Sequence, residues 1–403
     1  MKRKMIMLRI FALLLLLPLV TGSVLTGSAN GVVPIHSGTQ TESSDLGVAE
    51  GSLKLSCKSA VLMEAETGAI LYCQNADEAL PPASVTKIMT LLLVMESIDA
   101  GTVRLDDTVS ISANAASMGG SQVYLKEGER MSVEDLLKSV VIASANDAAV
   151  ALAEHVAGGV PSFVEKMNQR AGQLGMEETF FENVTGLDDT AERHLTSAHD
   201  IALMSRELIR HKTILAYSSI WMDSIRDGEF GLTNTNRLVR FYPGCTGLKT
   251  GSTSKAGFCV SVTAERDGFS LICVIMGAES RDVRNATATQ LLDWGFANYG
   301  LYTSESTELV PLPVTGGAQN TCRASYGTFS VVLPKASVSS VEQKLVLPDI
   351  FAAPIKEGDE IGNVEFWSEG KVIGEIPIVA DESVEKINFF QIFTRMLARF
   401  LLI

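Results

Sequence analysis

The 403-residue chain has only six cysteines, fewer basic than acidic residues, and no internal repeat. The cysteines include no C-x-x-C pair, so the sequence indicates no zinc site, and no motif indicates another metal or an organic cofactor. A formal net charge of −14 matches nucleic-acid phosphates poorly, so nucleic acid is excluded as an expected partner. The lack of low-complexity tracts, together with 46% hydrophobic residues, excludes a disordered or collagen-like chain and indicates a globular protein with a sizeable core.

The first 29 residues predict an export signal. A basic start is followed by the almost entirely apolar run 10–20 and then by small residues up to Ala29, which is the order of a cleavable signal peptide. The alternative is a retained N-terminal anchor, although the apolar run is short for a membrane span. Residues 30–52 are rich in Ser, Gly and Thr and predict a flexible linker. The protein is therefore expected to be exported, to the outer face of the cytoplasmic membrane.

The C-terminal segment 387–403 contains no acidic residue. Its polar residues recur mainly at three- and four-residue spacing: Asn388, Gln391, Arg395 and Arg399. In a helix they form one narrow polar stripe beside Phe, Ile, Leu and Met. A helix of roughly 25 Å with this pattern is typical of an interfacial anchor whose arginines reach the lipid headgroups. Residues 386–403 are thus predicted to bind a membrane surface, and a buried helix of the core is the alternative.

Two pairs of strands are predicted around short turns. Residues 59–73 form one pair around a Thr-Gly turn, and residues 257–276 form the other around Asp267-Gly268. With a two-residue turn at the second position, Cys259 and Cys273 have an odd offset and fall on opposite faces of the sheet. Export would permit disulfides, but we interpret the cysteines as mostly free, buried thiols that pack as small hydrophobes.

A helix-rich block lies between these strand pairs. Segment 88–95 is nearly all apolar and predicts a central helix buried on all sides. Further helices are predicted in this block after a capping signal at 132–135, and over 147–156 and 196–209. A closing helix predicted over 286–299 follows the second strand pair. Strands that bracket a helical insert predict an α/β sandwich with a separate helical region over residues 53–311. Short Val- and Ile-rich runs between turns predict a small all-β domain over 312–385.

The segment PPASVTK (81–87) combines a nucleophile with a base. The prolines end any earlier helix, so Ser84 is expected at or near a helix N-terminus, where free N–H groups can face an oxyanion. Lys87 lies three residues later, on the same helical face. Burial beside the apolar run that follows would disfavour its charge. A neutral Lys87 could then take the Ser84 proton.

Each motif is weak when taken alone. S-x-x-K also occurs at Ser252, Ser368 and Ser383, of which the last two lie in polar sequence expected to be exposed. Ser-Ala-Asn occurs at 28–30, at 112–114, where a cap or turn is expected, and at 144–146. Only the third copy falls between two apolar helices, where a hydroxyl and an amide are costly to bury unpaired. Ser144 is therefore predicted to relay a proton and Asn146 to orient Lys87.

The sequence Lys249-Thr250-Gly251-Ser252 is predicted to lie on a strand. Lys249 offers positive charge for a substrate carboxylate, and Thr250 adds a hydroxyl. Gly251 would let a substrate backbone approach the strand closely. A basic turn is the alternative, but the motif occurs once and precedes two strong strands.

The three motifs follow one another at about 60 and then about 105 residues. S-x-x-K, S-x-N and K-T-G in this order are the signature of penicillin-binding proteins and class A β-lactamases. Longer segments extend the likeness: SANDAAVALAEHVAG (144–158), HLTSAHDIALMSREL (194–208), NTNRL (234–238) and GLKTGSTSKAGFC (247–259). Over about residues 55–400, the chain resembles the low-molecular-mass penicillin-binding proteins of the D-alanyl-D-alanine carboxypeptidase family (penicillin-binding protein 5-like, peptidase S11). Sporulation-associated Gram-positive members are the most similar.

This resemblance implies a penicillin-binding-protein transpeptidase domain, a β-rich second domain and a C-terminal anchor. It implies a serine carboxypeptidase that removes the terminal D-alanine from peptidoglycan stem peptides. Ser84 would be acylated by the penultimate D-alanine carbonyl, with Lys87 as base and Ser144 as proton relay. β-Lactams would acylate the same serine.

The resemblance also implies how the substrate is held. Asn146 would position Lys87 and the substrate amide, while Lys249 and Thr250 would hold the terminal carboxylate. The backbone N–H groups of Ser84 and Ser252 would form the oxyanion hole. Family members often carry a larger side chain where this chain has Ser252, which bears on rate and substrate range but not on the backbone donor.

Two other classes of protein are disfavoured by the sequence, and a third stays open. A class A β-lactamase would need a Glu-x-x-Leu-Asn-type element between Asn146 and Lys249, and none occurs there. A non-enzymatic wall-binding protein is disfavoured by the complete motifs, whereas a D,D-endopeptidase uses the same residues and stays open. His155, His194 and His199 are interpreted as cap or surface residues, and segment 183–185 as a turn before Gly186.

Overall fold

The computed structural model describes residues 53–188 and 191–401. The predicted signal peptide (1–29) and linker (30–52) lie outside the described residues. Helices and strands are numbered in chain order. The helices are α1 (Lys87–Asp99), α2 (Ala113–Ala116), α3 (Val133–Ala143), α4 (Asn146–Ala157), α5 (Val160–Gln173), α6 (Ala198–Arg210), α7 (Lys212–Ser218), α8 (Leu238–Phe241), α9 (Arg281–Asn298) and α10 (Phe389–Phe400), with 3₁₀ turns at Ala83–Thr86 and Lys335–Ser340.

The strands fall into a group before α9 and a group after it. The first group is β1 (Ser59–Glu64), β2 (Ile70–Gln74), β3 (Thr108–Ser110), β4 (Arg130–Ser132), β5 (Met222–Ile225), β6 (Phe230–Thr233), β7 (Cys245–Thr253), β8 (Gly257–Arg266) and β9 (Phe269–Ala278). The second group is β10 (Tyr299–Ser304), β11 (Thr307–Glu308), β12 (Leu312–Thr315), β13 (Thr321–Cys322), β14 (Ala324–Tyr326), β15 (Phe329–Pro334), β16 (Glu342–Val346), β17 (Phe351–Ala352), β18 (Glu360–Ser368) and β19 (Lys371–Ala380).

A five-stranded antiparallel sheet in the order β2-β1-β9-β8-β7 lies at the centre of the first domain. Because side chains alternate along a strand, the sheet has two apolar faces. Val61 and Met63 belong to the core shared with the helical region, whereas Ala60 and Leu62 belong to the core shared with α9. The predicted α/β sandwich with a helical region is confirmed, and β7, the strand that carries K-T-G, is an edge strand.

The register of β8 and β9 confirms the turn assigned from the sequence. Arg266 pairs with Phe269, so the connection is the two-residue Asp267-Gly268 turn. Cys259 therefore packs on the helical side of the sheet and Cys273 on the α9 side. Burial raises the pKa of the Cys259 thiol to about 11, which suits a thiol that acts as a small apolar side chain.

Local signals set the ends of the helices around the site. The Ser132 hydroxyl accepts from the backbone N–H of Asp135 and starts α3, and Gly158 ends α4 in the left-handed conformation. Helix α1 is buried from Lys87 to Met95, as the unbroken apolar run predicts. Helix α9 begins five residues before the predicted position, because its cap is Ser280, ahead of the polar first turns.

The second domain is built from β-strands, as predicted. One sheet has the order β11-β14-β19-β18-β16, and a smaller one has the order β13-β12-β17. Phe366, on β18 of the larger sheet, is fully buried against the β10-β15 pair, and its ring stacks on Phe329 at 4.1 Å between centroids. Strand β10, which precedes Leu312, already pairs with β15.

Helix α10 is amphipathic and docks by its polar stripe. Asn388 and Gln391 form a reciprocal capping box at its start. Its apolar side chains are exposed: Phe389, Phe390, Ile392, Phe393, Met396, Leu397 and Phe400. Arg395 donates to the carbonyls of Gly317 and Ala318 in its own β domain. Among the described residues, no helix combines the length and apolar character needed to cross a membrane.

Candidate active site

Ser84 lies on a tight, strained turn in front of the central helix. The 3₁₀ turn Ala83–Thr86 runs directly into α1. Ala83, immediately before Ser84, has a φ of +49°, a left-handed conformation that costs a non-glycine residue on the order of 1–2 kcal/mol. The prediction that Ser84 lies near a helix N-terminus is confirmed, and the strained residue before it is an addition that the sequence did not indicate.

Lys87 is fully buried one turn after Ser84, with its amine in contact with three oxygen atoms. The Nζ atom lies 2.9 Å from Ser84 Oγ, 2.6 Å from Asn146 Oδ1 and 2.9 Å from the carbonyl oxygen of Thr185. The amide and carbonyl oxygens can only accept. A neutral amine has two N–H groups for these acceptors, so its lone pair is left facing the Ser84 hydroxyl.

The surroundings of Lys87 favour this neutral form. Burial lowers the pKa of Lys87 well below its ordinary value, and the positive charge of Lys249 lowers it further. The buried carboxylate of Asp147 acts in the opposite direction, but it is the weaker influence. Ser84 and Lys87 thus form a nucleophile and base pair in hydrogen-bond contact.

The Ser144-Ala145-Asn146 segment connects both lysines. Ser144 ends α3 in a left-handed conformation with a φ of +62°, and Asn146 begins α4. Asn146 accepts from Lys87 and donates through Nδ2 to the carbonyl of Gly119 at 2.7 Å. The hydroxyl of Ser144 instead accepts from Lys249 at 2.8 Å. Asn146 therefore contacts and orients Lys87, while Ser144 contacts the lysine of the K-T-G strand.

The K-T-G motif lies on β7, as predicted. Lys249 is almost fully buried, and its amine donates to Ser144 Oγ and to the carbonyl of Thr250. Burial and the charge of Arg284 lower the pKa of Lys249 to about 7. The Thr250 hydroxyl donates to Thr235 Oγ1 at 2.8 Å. This places a titratable positive charge and a hydroxyl side by side on the edge strand.

The structure shows a different reason for a glycine at position 251 from the one that the sequence suggests. A Cβ atom at this position would lie 2.8 Å from the backbone nitrogen of Ser84 and 2.9 Å from the carbonyl oxygen of Pro82. Gly251 is therefore needed for β7 to pack against the nucleophile turn, rather than only for the approach of a substrate. The next residue, Ser252, is exposed and begins the turn side of the strand.

Several residues near the site were missed by the sequence analysis. The carbonyl of Thr185 is a Lys87 acceptor, and the side chains of Thr235 and Arg284 adjoin Thr250 and Lys249. The 183–185 segment does form the predicted turn, since Asn183 Oδ1 accepts from the N–H groups of Thr185 and Gly186. A backbone acceptor leaves no signal in a side-chain motif, whereas Thr235 lies within the NTNRL segment already singled out.

Two expectations about exposure are wrong. His194 is 4% exposed and hydrogen-bonded on both ring nitrogens, so it is neither a cap nor a surface residue. Ser368, in a second S-x-x-K pattern, is also buried because it ends the long strand β18. Ser112, in the second Ser-Ala-Asn copy, caps α2 as predicted.

Comparisons with known proteins identify the family of the chain. A model of the D-alanyl-D-alanine carboxypeptidase family, peptidase S11, matches residues 46–280, and one of the penicillin-binding protein 5 C-terminal domain matches residues 304–386. D-alanyl-D-alanine carboxypeptidase DacF of Bacillus subtilis is 40% identical over 84% of this chain and 88% of its own length.

Solved structures give the same result. Penicillin-binding protein 5 of Haemophilus influenzae superposes with a TM-score of 0.72 at 31% identity, over 83% of this chain and 99% of its own. Penicillin-binding protein D2 of Listeria monocytogenes, in its ampicillin-bound form, has a TM-score of 0.56 at 33% identity, over 60% of this chain and 99% of its own. By sequence and fold, the chain belongs to the D-alanyl-D-alanine carboxypeptidase family, peptidase S11.

Proposed function

We propose that this serine-type D-alanyl-D-alanine carboxypeptidase removes the terminal D-alanine of peptidoglycan pentapeptides through an acyl-enzyme on Ser84. The observation that carries the proposal is the 2.9 Å contact between Ser84 Oγ and the fully buried amine of Lys87. A hydroxyl at its ordinary pKa is a weak nucleophile and needs an adjacent base. No other titratable group of the described residues is hydrogen-bonded to Ser84.

The first half-reaction forms the acyl-enzyme. Lys87 takes the Ser84 proton as Oγ bonds to the penultimate D-alanine carbonyl carbon, and the resulting oxyanion accepts from the backbone N–H groups of Ser84 and Ser252. When the intermediate collapses, the C–N bond breaks and free D-alanine leaves. The proton reaches its amine through Ser144, which lies beside Lys249 on the leaving-group side.

The second half-reaction uses the same groups in reverse. Water attacks the ester carbonyl, Lys87 accepts its proton, and the C–Oγ bond breaks to return the Ser84 hydroxyl. Before acylation, Lys249 and Thr250 hold the terminal carboxylate, and Asn146 holds the substrate amide. A β-lactam offers a similar carbonyl and carboxylate, and a relative of the same fold is known in an ampicillin-bound form. β-Lactams are therefore proposed to acylate Ser84.

The test uses the intact protein and a pentapeptide that ends in two D-alanines. We expect stoichiometric release of D-alanine, measured with D-amino-acid oxidase, and no release from the matching peptide that ends in L-alanine. A fluorescent penicillin should add its mass to the tryptic peptide that contains Ser84. An adduct on Ser368, the buried serine of another S-x-x-K pattern, or no D-alanine release, would contradict the proposal.

Replacing Gly251 by alanine should reduce acylation by roughly 10²-fold. The added methyl group meets the backbone nitrogen of Ser84, so the nucleophile turn must shift relative to Lys87 and the oxyanion donors. The second-order rate constant of penicillin acylation is the measurement. Gly231→Ala, on strand β6 where a Cβ meets nothing within 4 Å, is a control for the substitution itself. Equal rates for wild type and Gly251→Ala would contradict the packing argument.

The protein is further proposed to act outside the cell, with residues 53–311 as catalytic domain and 312–385 as a β-rich spacer. Helix α10 is proposed to hold it at the membrane surface. The support is the set of exposed apolar side chains on one side of α10, opposite the docked Arg395. The helix is roughly 18 Å long, which suits an interfacial position.

Membrane binding should depend on the apolar side of α10. The double substitution Phe390→Glu and Phe393→Glu is expected to reduce co-sedimentation with phosphatidylglycerol-containing vesicles at least roughly tenfold, because charges would enter the acyl region. Pentapeptide hydrolysis in solution should not change. Val310→Glu is the matched control, since Val310 is an exposed apolar residue outside the helix. Unchanged vesicle binding by the double variant would reject the anchor.

A further inference from the structure

His194 is buried behind the nucleophile turn and is not used by the proposed mechanism. Its Nε2 atom lies 2.7 Å from the hydroxyl of Thr86, and its Nδ1 atom accepts from the backbone N–H of Glu182 at 3.0 Å. The Thr86 hydroxyl in turn donates to the carbonyl of Ala83 at 2.8 Å. A continuous chain of hydrogen bonds thus runs from the 182–194 segment to the residue before Ser84.

The partners of His194 determine its tautomer. The N–H of Glu182 can only donate, so Nδ1 must be unprotonated, and the neutral ring then carries its proton on Nε2. The Nε2–H group donates to the Thr86 hydroxyl, whose own O–H then donates a hydrogen bond to the Ala83 carbonyl. Burial lowers the pKa of His194 to about 4, so the ring keeps this form at neutral pH.

The Ala83 carbonyl is held from a second side. Gly186, with a φ of +81°, packs so closely that a Cβ atom there would overlap the carbonyl oxygen of Ala83 and lie 2.8 Å from Thr86 Oγ1. Ala83 itself is in the left-handed conformation. A strained residue persists only where its surroundings determine it. Thr86 and Gly186 are those surroundings, and His194 orients the Thr86 hydroxyl.

From this geometry we infer that His194 is a positioning residue for the nucleophile. By orienting Thr86 against the Ala83 carbonyl, it holds the strained turn in the conformation that keeps Ser84 Oγ in contact with Lys87 Nζ. Among the hydrogen bonds of the described residues, none joins His194 to Ser84 or Lys87, so it acts through the turn and not on the proton. The inference rests on the proposed role of Ser84.

Two amide variants separate the two contacts of the ring. Glutamine places its amide nitrogen as many bonds from the backbone as Nε2, and asparagine places its oxygen as many as Nδ1. His194→Gln therefore keeps the donor to Thr86 and loses the acceptor for Glu182, whereas His194→Asn does the reverse. We expect His194→Gln to acylate with penicillin within about threefold of wild type, and His194→Asn to be roughly 10- to 100-fold slower.

The Thr86 hydroxyl is tested in the same assay. Thr86→Val keeps the volume and removes the hydroxyl, so it should be slowed like His194→Asn, while Thr86→Ser should restore the rate. The double variant His194→Asn/Thr86→Val should be no slower than either single one, because both remove the same link. Acylation rate constants, thermal unfolding and the pH dependence of acylation are measured for all five variants.

The outcomes are distinct. Slow acylation by His194→Asn, with the acidic limb of its pH–acylation rate profile at the same pH as in the wild type, supports a positioning role. If the acidic limb of the pH profile moved in His194→Gln, His194 would take part in proton transfer and the inference would be overturned. Wild-type acylation rates in both His194→Asn and Thr86→Val would also overturn it. Equal slowing of Gln and Asn variants in proportion to their loss of thermal stability would reduce His194 to a folding role. Failure of the wild-type protein to label at Ser84 would instead reject the proposed function.

Discussion

Replacing Ser84 by alanine should reduce D-alanine release by roughly 10⁴-fold or more, and replacing Lys87 by methionine should have an effect of similar size. Ser84→Ala removes the atom that is acylated. Lys87→Met fills the same buried volume but removes the base that faces Ser84. Because both residues serve one proton transfer, the double variant should be no slower than either single variant. Steady-state release from the pentapeptide measures all three.

Stability separates a catalytic effect from a folding effect. Methionine in place of Lys87 removes a desolvated amine from a fully buried position, which offsets the loss of the hydrogen bonds of that amine. The melting temperature of Lys87→Met should therefore stay close to that of the wild type. Lys371→Met, at an exposed lysine of β19, is the control for the substitution. If Lys87→Met retained a tenth of wild-type activity while folded, the base would have to be another group.

The sequence predicts the contacts of this site that are local in the chain, but not those between distant elements. Ser84 and Lys87 are one helical turn apart, so their contact follows from local spacing. The opposite faces of Cys259 on β8 and Cys273 on β9 follow from alternation and one turn. The pairing of Asn146 with Lys87 and of Ser144 with Lys249 could not be predicted in the same way, because it depends on how the α3–α4 junction meets two other elements.

The misplaced residues share a physical cause. His194 is interpreted from the sequence as a cap or surface residue, yet it is buried and contacts a turn 108 residues away. Gly251 was interpreted through the substrate, although the tightest constraint on it comes from the backbone of Ser84. In both cases the decisive contact is with the nucleophile turn, through the Thr86 side chain for His194 and through backbone atoms for Gly251. A contact between residues so far apart in the chain has no signature in a linear motif.

Lys249 is expected to give the pH profile its alkaline limb. Its pKa is about 7 in the free protein, and only its protonated form attracts the substrate carboxylate. The value of kcat/KM should therefore be highest at pH values below this pKa and should fall as the pH rises through it. A bound carboxylate favours the charged amine, so the same limb in kcat should lie at higher pH. Lys249→Arg, whose guanidinium stays charged, should remove the limb near neutrality.

The acidic limb of the pH profile depends on the effect of the Lys249 charge on the pKa of Lys87. Lys87 must be neutral to accept a proton, so activity is lost as the pH falls through its pKa, which the charge of Lys249 lowers. Lys249→Met should reduce kcat/KM roughly 10²- to 10³-fold and also move the acidic limb to higher pH, because the repulsion that keeps Lys87 neutral is gone. Lys249→Arg preserves this repulsion and should leave the acidic limb in place. An acidic limb that stays at the same pH in Lys249→Met would show that burial alone keeps Lys87 neutral, and that Lys249 serves the substrate without tuning the base.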